Sequence, residues 1–261
     1  MRMRQALVAV AGLFLLAAPC AAGLFSPGDD ATVGVDVAWW TPELDTQIKI
    51  TDDLEGTDLS LERDLGIEDE DIPWASLWFQ FNPKNRLTFS GFNVAYEGDK
   101  VLGESIIFSD STYDLDARVE SEFDLGVYDL EYMHMFGDPG AVRFGLLFGV
   151  KVFDIQTSVA GVESTTGLYE ETEESIVFPV PVAGAVVKLV FGDIFSITAK
   201  GSGLGAGSDQ IFYDASALAG LDTKHIGIMG GYRIMKLDVE ADDDFVDIEI
   251  SGPAAVVSLR F

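Results

Sequence analysis

Cysteine is almost missing from this chain: its 261 residues contain one, Cys20. A disulfide scaffold is therefore excluded, and so is a thiol cluster for a metal. Histidine is nearly as scarce, with His134 and His225 the only two. Basic residues number 16 against 44 acidic ones, a net charge of -28. Without a basic stripe to neutralise phosphates, nucleic acid is not an expected partner. Beyond the N-terminal segment, long hydrophobic runs are absent as well. The longest there, Ile176 to Val187, contains Pro179 and Pro181 and falls short of the roughly 18 apolar residues of a membrane helix.

What is present is an unusual combination. The chain is 48% apolar, carries 18 Phe, 7 Tyr and 4 Trp, and has a mean hydropathy of +0.23. A chain so acidic and yet so apolar must keep its charge and its hydrophobicity in different places, and it has enough apolar surface to fold. At the N-terminus, Arg2 and Arg4 precede an apolar stretch from Ala6 to Ala18 and the small residues around Cys20 and Ala22. That is the pattern of a secretory signal peptide over residues 1–22. Its removal takes away Cys20, Arg2 and Arg4 and moves the net charge from -28 to -30. Lipidation at Cys20 is the alternative, which Pro19 directly before it disfavours.

From residue 23 to 261 the period is two. Val33, Val35, Val37 and Trp39 alternate with Gly34, Asp36, Ala38 and Trp40, and Val142 to Phe153 and Ala254 to Phe261 alternate as cleanly. Period-two alternation marks strands with one apolar face. Ten strands are expected, near 32–40, 73–81, 86–97, 117–136, 142–153, 176–191, 194–201, 210–221, 225–238 and 247–261. Eight or twelve remain open, because 194–201 and 210–221 alternate weakly. Two strands change parity, at Gly91 and near Gly126, which suggests β-bulges there.

The connections alternate in length. Short turns fall at 82–85, 137–141, 192–193 and 222–224, and longer segments at 41–72, 98–116, 154–175, 201–210 and 239–249. Those five long segments hold 30 of the 44 acidic residues. A sheet crosses hydrocarbon only if it closes and leaves no edge unpaired. Short turns on one side and long loops on the other then give an all-β, antiparallel up-and-down transmembrane barrel, with the acid in extracellular loops. Aromatics should gather at the two lipid–water boundaries. Trp39, Trp40, Trp74, Tyr96, Phe153 and Phe178 are expected at the outer one. Phe81, Tyr132, Phe136, Phe144, Phe191, Phe195 and Phe261 are expected at the inner one. A secreted acidic β-sandwich is the competing fold, and it leaves the loop alternation unexplained.

The ending Gly252-Pro253-Ala254-Ala255-Val256-Val257-Ser258-Leu259-Arg260-Phe261 resembles the assembly signal of bacterial outer-membrane β-barrel proteins, with Val257, Leu259 and Phe261 as its apolar face. Gly230-Gly231-Tyr232-Arg233 and Asp64-Leu65-Gly66-Ile67 resemble stretches of small outer-membrane barrel-domain proteins of Gram-negative bacteria. The resemblance implies passage with periplasmic chaperones, insertion by the outer-membrane assembly machinery, and surroundings of outer-membrane lipid and lipopolysaccharide. Omptin-type proteases, also ten-stranded, resemble this chain in size but use acids with a histidine at the extracellular rim. Here His134 and His225 thread to the periplasmic end, so histidine-based catalysis lacks its parts.

By parity Asp36, Asp129, Glu131, Arg143, Lys151, Lys200, Arg233 and Arg260 face the lumen, with Glu131 and Arg143 brought toward the same lower lumen by antiparallel pairing through the 137–141 turn. Charges of both signs in a narrow barrel form a paired network, and open channels belong to larger barrels. The acidic runs holding Asp69, Asp71, Asp242 and Asp244 are weak candidates for divalent cations, without the spacing of a calcium loop. No cofactor is expected. The expected role is structural or surface-interacting without catalysis. The alternatives are a narrow cation-preferring channel or small-ligand conduit and, less favoured, an acid-based hydrolase at the outer rim.

Overall fold

The computed structural model describes residues 31–49, 57–109, 111–136, 141–162, 167–192, 194–205, 210–241 and 244–261. The expected signal segment 1–22 and Asp242 lie outside them. Among the described residues there are thirteen strands: β1 (Val33–Trp40), β2 (Glu43–Lys49), β3 (Ile72–Asn82), β4 (Asn85–Val101), β5 (Ile106–Phe108), β6 (Ser111–Tyr113), β7 (Arg118–Phe136), β8 (Val142–Val162), β9 (Tyr169–Phe191), β10 (Phe195–Gly205), β11 (Gln210–Asp222), β12 (Ile226–Ala241) and β13 (Asp244–Arg260). Antiparallel neighbours run β1-β3-β4-β7-β8-β9-β10-β11-β12-β13, and β13 pairs back onto β1. The sheet therefore closes. Strand β2 continues the line of β1 along the same edge of β13, interrupted at Thr41 and Pro42, so the wall has ten strands. β5 and β6 form a separate hairpin.

Gly91 and Gly126 are not bulges. Pairing runs without a slip from Asn85↔His134 to Val101↔Arg118, and from Val119↔Gly161 to Phe136↔Phe144. What changes at these glycines is the medium outside the wall. On β4 the outward residues are Leu87 and Phe89 and then, past Gly91, Asn93, Ala95, Glu97 and Asp99, while the inward ones pass from Thr88 and Ser90 to buried Phe92, Val94 and Tyr96. β7 inverts in the same way. Outward Tyr132, Leu130 and Tyr128 give way past Gly126 to Asp124, Glu122 and Glu120, as inward Glu131 and Asp129 give way to Val127, Leu125 and Phe123. One tier is apolar outside and polar inside, as lipid requires. The other is polar outside and apolar inside, as water requires.

The second tier explains why the strands outrun the lengths read from alternation. At about 3.4 Å per residue, the 21 residues of β8 span roughly 70 Å. Tilted by about 40°, they rise about twice the ~25 Å apolar band of an outer-membrane barrel. Residues 43–49, 98–101, 154–162, 169–175 and 244–249, expected in loops, are strand, and Glu43, Asp45, Asp99, Asp154, Glu171, Glu173, Asp247 and Glu249 stand on the outer face of the wall, while Glu174 turns inward to accept from the Ser109 hydroxyl. The boundary aromatics are corrected for the same reason. Trp39 points outward, but Trp40, Trp74, Tyr96, Phe153 and Phe178 carry inward parity and pack inside the barrel. The inner set, Phe81, Tyr132, Phe136, Phe144, Phe191, Phe195 and Phe261, is outward and exposed near the short turns.

The apolar tier is filled by its own strands and by two insertions. A single helical turn, Leu61–Leu65, is capped by the Ser60 hydroxyl, which accepts from Arg63 N, and ended by Gly66 at φ 74°. It buries Leu61 and Leu65 completely. The β5–β6 hairpin contributes Phe108 and Tyr113, whose hydroxyl donates to Val159 O at 3.0 Å. Phe153 stacks on Phe178 at 5.5 Å and meets Phe212 edge-on at 5.4 Å. This plug closes the barrel at the long-loop end.

Candidate functional site

Beneath the plug the lumen is polar, and its charged side chains come from the alternate positions of strands whose other face meets lipid. All eight lumen residues expected from parity face inward. They organise into two layers. Directly under the plug, Lys151 Nζ lies 2.9 Å from Asp129 Oδ2 and 3.1 Å from Asp214 Oδ2. Arg233 holds Asp214 with two hydrogen bonds, of 3.1 and 2.9 Å. Lys200 reaches Glu131 at 2.7 Å. The Arg233 guanidinium sits 4.7 Å from the Trp40 ring centroid and 4.6 Å from that of Trp74, where charge gives way to aromatic packing. Three cations meet three carboxylates in this layer.

The second layer lies next to the short turns. Asp222 takes both Lys188, at 2.7 Å, and Arg260, which also donates to Thr223 O at 2.8 Å. Arg143 donates to the Pro83 carbonyl at 2.6 Å. Glu131 and Arg143 line the same cavity; Glu131 faces Gly149 across the ladder and binds Lys200. Arg86 donates to Gln80 Oε1 at 2.9 Å and lies 4.1 Å over Trp78. Asp36, half-buried, accepts from the Ser76 hydroxyl at 2.8 Å. Gly34 leaves room for Trp78, since a Cβ there would come within 2.2 Å of its ring. Together the two layers line a cavity of about 270 Å³.

Sequence reasoning missed Asp214, Asp222, Lys188 and Arg86. The outer face of β11 is alanine-rich, with Ala215, Ala217 and Ala219, so its hydrophobic alternation is faint and the inward parity of Asp214 and Asp222 went unread. Lys188 interrupts an apolar run, and that interruption was the available signal.

His134 faces outward on β7 beside the 137–141 turn, with Nδ1 2.7 Å from Asn85 Oδ1 and its ring edge-on to Phe136 at 4.9 Å. His225 lies in the β11–β12 turn, 3.4 Å from Arg260 O. Both histidines stand at the short-turn end. Among the weak metal candidates, Asp69 accepts from Leu44 N at 2.8 Å, Asp71 is exposed just before β3, and Asp244 opens β13. Among the described residues no three histidine, cysteine, aspartate or glutamate side chains converge to hold a metal ion.

The outer face of the second tier is an acidic wall. Glu97 stands directly opposite Glu122, and Asp99 opposite Glu120. Burial first, then the neighbouring carboxylates, raises Glu122 and Asp124 above the usual carboxylate range. Asp99 is held low by its hydrogen bonds to Arg118. At the other end, Val257 and Leu259 face outward while β13 pairs with both β1 and β12, and Phe261 N donates to Val33 O at 2.8 Å. The C-terminal strand thus sits at the seam where the barrel closes.

No family model matches the sequence, and no curated protein matches it. Among solved structures, the outer membrane protease OmpT from Escherichia coli is similar over 92% of this chain and 99% of its own, with a TM-score of 0.59 and 10% identity. Two further structures align with TM-scores below 0.5. The attachment invasion locus protein Ail of Yersinia pestis covers 87% of this chain and 98% of its own, at TM-score 0.34 and 10% identity. Neisserial surface protein A covers 88% and 97%, at TM-score 0.33 and 11% identity. At such identity the likeness to OmpT is one of fold, and it agrees with the closed wall, the apolar belt and the aromatic girdle: the chain has the fold of the bacterial outer-membrane β-barrels.

Proposed function

We propose that this chain is a non-catalytic, non-conducting barrel of the Gram-negative outer membrane that holds an acidic wall above the bilayer for surface interaction. The observation that carries this reading is the plug. Trp40, Leu61, Ile72, Tyr96, Phe123 and Phe153 are all at most 1% exposed across the mouth of the lumen. Ions do not cross a dry apolar layer of that depth, so the packing argues against a cation-preferring channel or a conduit. The placement of both histidines at the short-turn end argues against an omptin-like hydrolase at the outer rim. Outer-membrane lipid and lipopolysaccharide are the expected surroundings, and divalent cations the expected mobile counterions of the wall. Insertion by the outer-membrane assembly machinery, through the seam at Val257, Leu259 and Phe261, belongs to the same proposal.

Planar-bilayer recording of the purified barrel tests it. The expected record is a flat baseline with protein incorporated, and stable cation-selective steps would overturn the reading. Heat-modifiable migration in the outer-membrane fraction is expected alongside.

A further inference from the structure

The wall is of uneven height. β8 and β9 rise together to Val162 and Tyr169, while β10 ends at Gly205 and β11 begins at Gln210. Pairing of β9 with β10 runs from Phe191↔Phe195 and stops at Ala183↔Gly203, whereas pairing of β9 with β8 continues up to Tyr169↔Val162. Above that point β9 keeps one neighbour. Among the described residues, no strand, bridge or turn bonds to the other edge of β9 from Tyr169 to Pro181. At ~3.4 Å per residue this edge is roughly 40 Å long, and the chain from Gly205 to Gln210 reaches at most ~18 Å. Exposure agrees. Ile176 and Val177 point to opposite faces of the strand, and both are more than half exposed.

Two prolines define which backbone groups are free. Pro179 and Pro181 share a parity, and neither has the N–H that a ladder requires. Both stand in register with β8, opposite Val152 and Val150. Their nitrogens therefore face the β10 side, where the ladder ends. Backbone groups of one parity point toward one neighbour, so the N–H and C=O of Tyr169, Glu171, Glu173, Ser175 and Val177 face the open side too. Val177 lies across from Asp154, where the outer face of β8 turns from apolar to acidic, so these groups stand above the bilayer.

We infer that this edge is a docking strand for an extended, basic polypeptide segment, which adds beside β9 as a further strand. The inference rests on the wall being an interaction surface and names its partner. An unpaired strand edge binds through its backbone, and the flanking side chains select the sequence. Glu171 and Glu173 line the outer side of the edge, with Gln156 of β8 donating to Glu173, and Glu174 lies on the inner side. Opposite charges directly across a ladder stabilise pairing, and like charges oppose it. A second copy of this chain would set glutamate against glutamate, so the acids exclude edge-to-edge dimerisation and favour a strand carrying lysine or arginine. Ile176 and Val177, exposed at the membrane end of the edge, offer that strand an apolar anchor.

The test is binding of a fluorescent peptide of alternating lysine and valine to the purified mature barrel in phosphatidylcholine nanodiscs, the peptide being long enough to pair from Tyr169 to Val177. Saturable binding is expected, with hydrogen exchange of the amides of residues 169–177 slowed in the complex. A peptide with proline in place of each valine has the same charge but adopts polyproline II, and should bind at least about tenfold more weakly. S175P, which extends the pattern of Pro179 and Pro181 without removing a bond to β8, should weaken binding by a similar factor. E171Q/E173Q should weaken it about threefold or more and flatten its salt dependence. E97Q, three strands away on β4, should leave it unchanged. Equal binding of the two peptides, or S175P that binds as the wild type does, would reduce the effect to charge attraction and overturn the inference. So would absence of saturable binding, or self-association that protects residues 169–177 without peptide. Heat-modifiable migration identifies variants that have not folded, and if S175P is one of them the proline peptide on wild-type protein decides. A barrel that binds no peptide and stays closed in planar bilayers would sink the docking strand alone, whereas conductance with peptide binding intact would sink the non-conducting reading alone.

Discussion

Lys151 on β8 stands directly across the ladder from Asp129 on β7, its ammonium 2.9 Å from the carboxylate, with both side chains almost wholly removed from solvent. The same ammonium is 3.1 Å from Asp214, so one cation serves two carboxylates at the base of the plug. Removing one partner of a buried pair leaves a charge uncompensated and costs about 3–5 kcal/mol, whereas removing both costs much less. K151M is therefore expected to lower unfolding stability in urea by that amount, and D129N/K151M to recover at least half of it, with Arg233 still holding Asp214. Additive losses in the double variant would show that the two residues act independently.

The charged layer was half legible because parity is a property of the strand and needs no knowledge of partners. Asp129, Glu131, Arg143 and Lys151 sit on strands whose outward Leu130, Tyr132, Phe144 and Phe148 announce the lipid face. Asp214 and Asp222 sit on β11, whose outward alanines announce nothing. Strand lengths failed for a different reason. Alternation reports hydrophobicity against a constant medium, and at Gly91, Gly126 and Phe153 the medium changes from lipid to water while the backbone runs on. An inversion of the apolar face with no slip in register reads, in sequence, like a bulge followed by a loop. The plug was illegible too, because Trp40, Tyr96 and Phe153 occupy the height at which boundary aromatics are expected and differ from them only in the face they take.

That inversion locates the bilayer boundary on β4. Phe89 and Ala95 share the outward face, one on each side of Gly91, and Ala95 is opposite Asp124. F89R should cost about 1–2 kcal/mol, between the ~2–4 kcal/mol of a cation at the midplane and the ~0–1 kcal/mol close to an interface. A95R should change stability by no more than about 0.5 kcal/mol, as a surface substitution beside an acid. Urea titrations of the barrel refolded into vesicles measure both. Equal penalties at the two positions would place Ala95 in lipid and move the boundary.

The plug should behave as a soluble core. Phe153 is 1% exposed and touches Phe178 and Phe212. F153A should cost about 3–5 kcal/mol, the range for truncating a buried aromatic. Because Phe153 faces no lipid, the yield of membrane-inserted protein should hold while the urea midpoint falls. A variant that stays out of the bilayer altogether would show that the plug folds before insertion.

The acidic wall should make the protein more stable on mild acidification. Glu122 and Asp124 lie above the belt, and their carboxyls are raised above the ordinary values of 4.5 and 3.8 by burial and then by neighbouring acids. A raised carboxyl binds protons in the folded state before it does in the unfolded chain, so stability grows as pH falls from neutral toward those ordinary values. The destabilisation relieved is on the order of 0.2–1 kcal/mol for each pair of like charges directly opposed, such as Glu97 and Glu122. The gain is complete once the unfolded chain protonates at those ordinary values, and below them Asp99, held low by Arg118, contributes a loss instead. Added salt at pH 7 should act in the same direction by screening the wall. E122Q/D124N should be more stable than the wild type at pH 7 and should lose most of the response to both acid and salt. A wild type whose urea midpoint falls steadily from pH 7 to pH 5 would mean that paired carboxylates, and not the unpaired repulsion of this wall, govern its pH dependence.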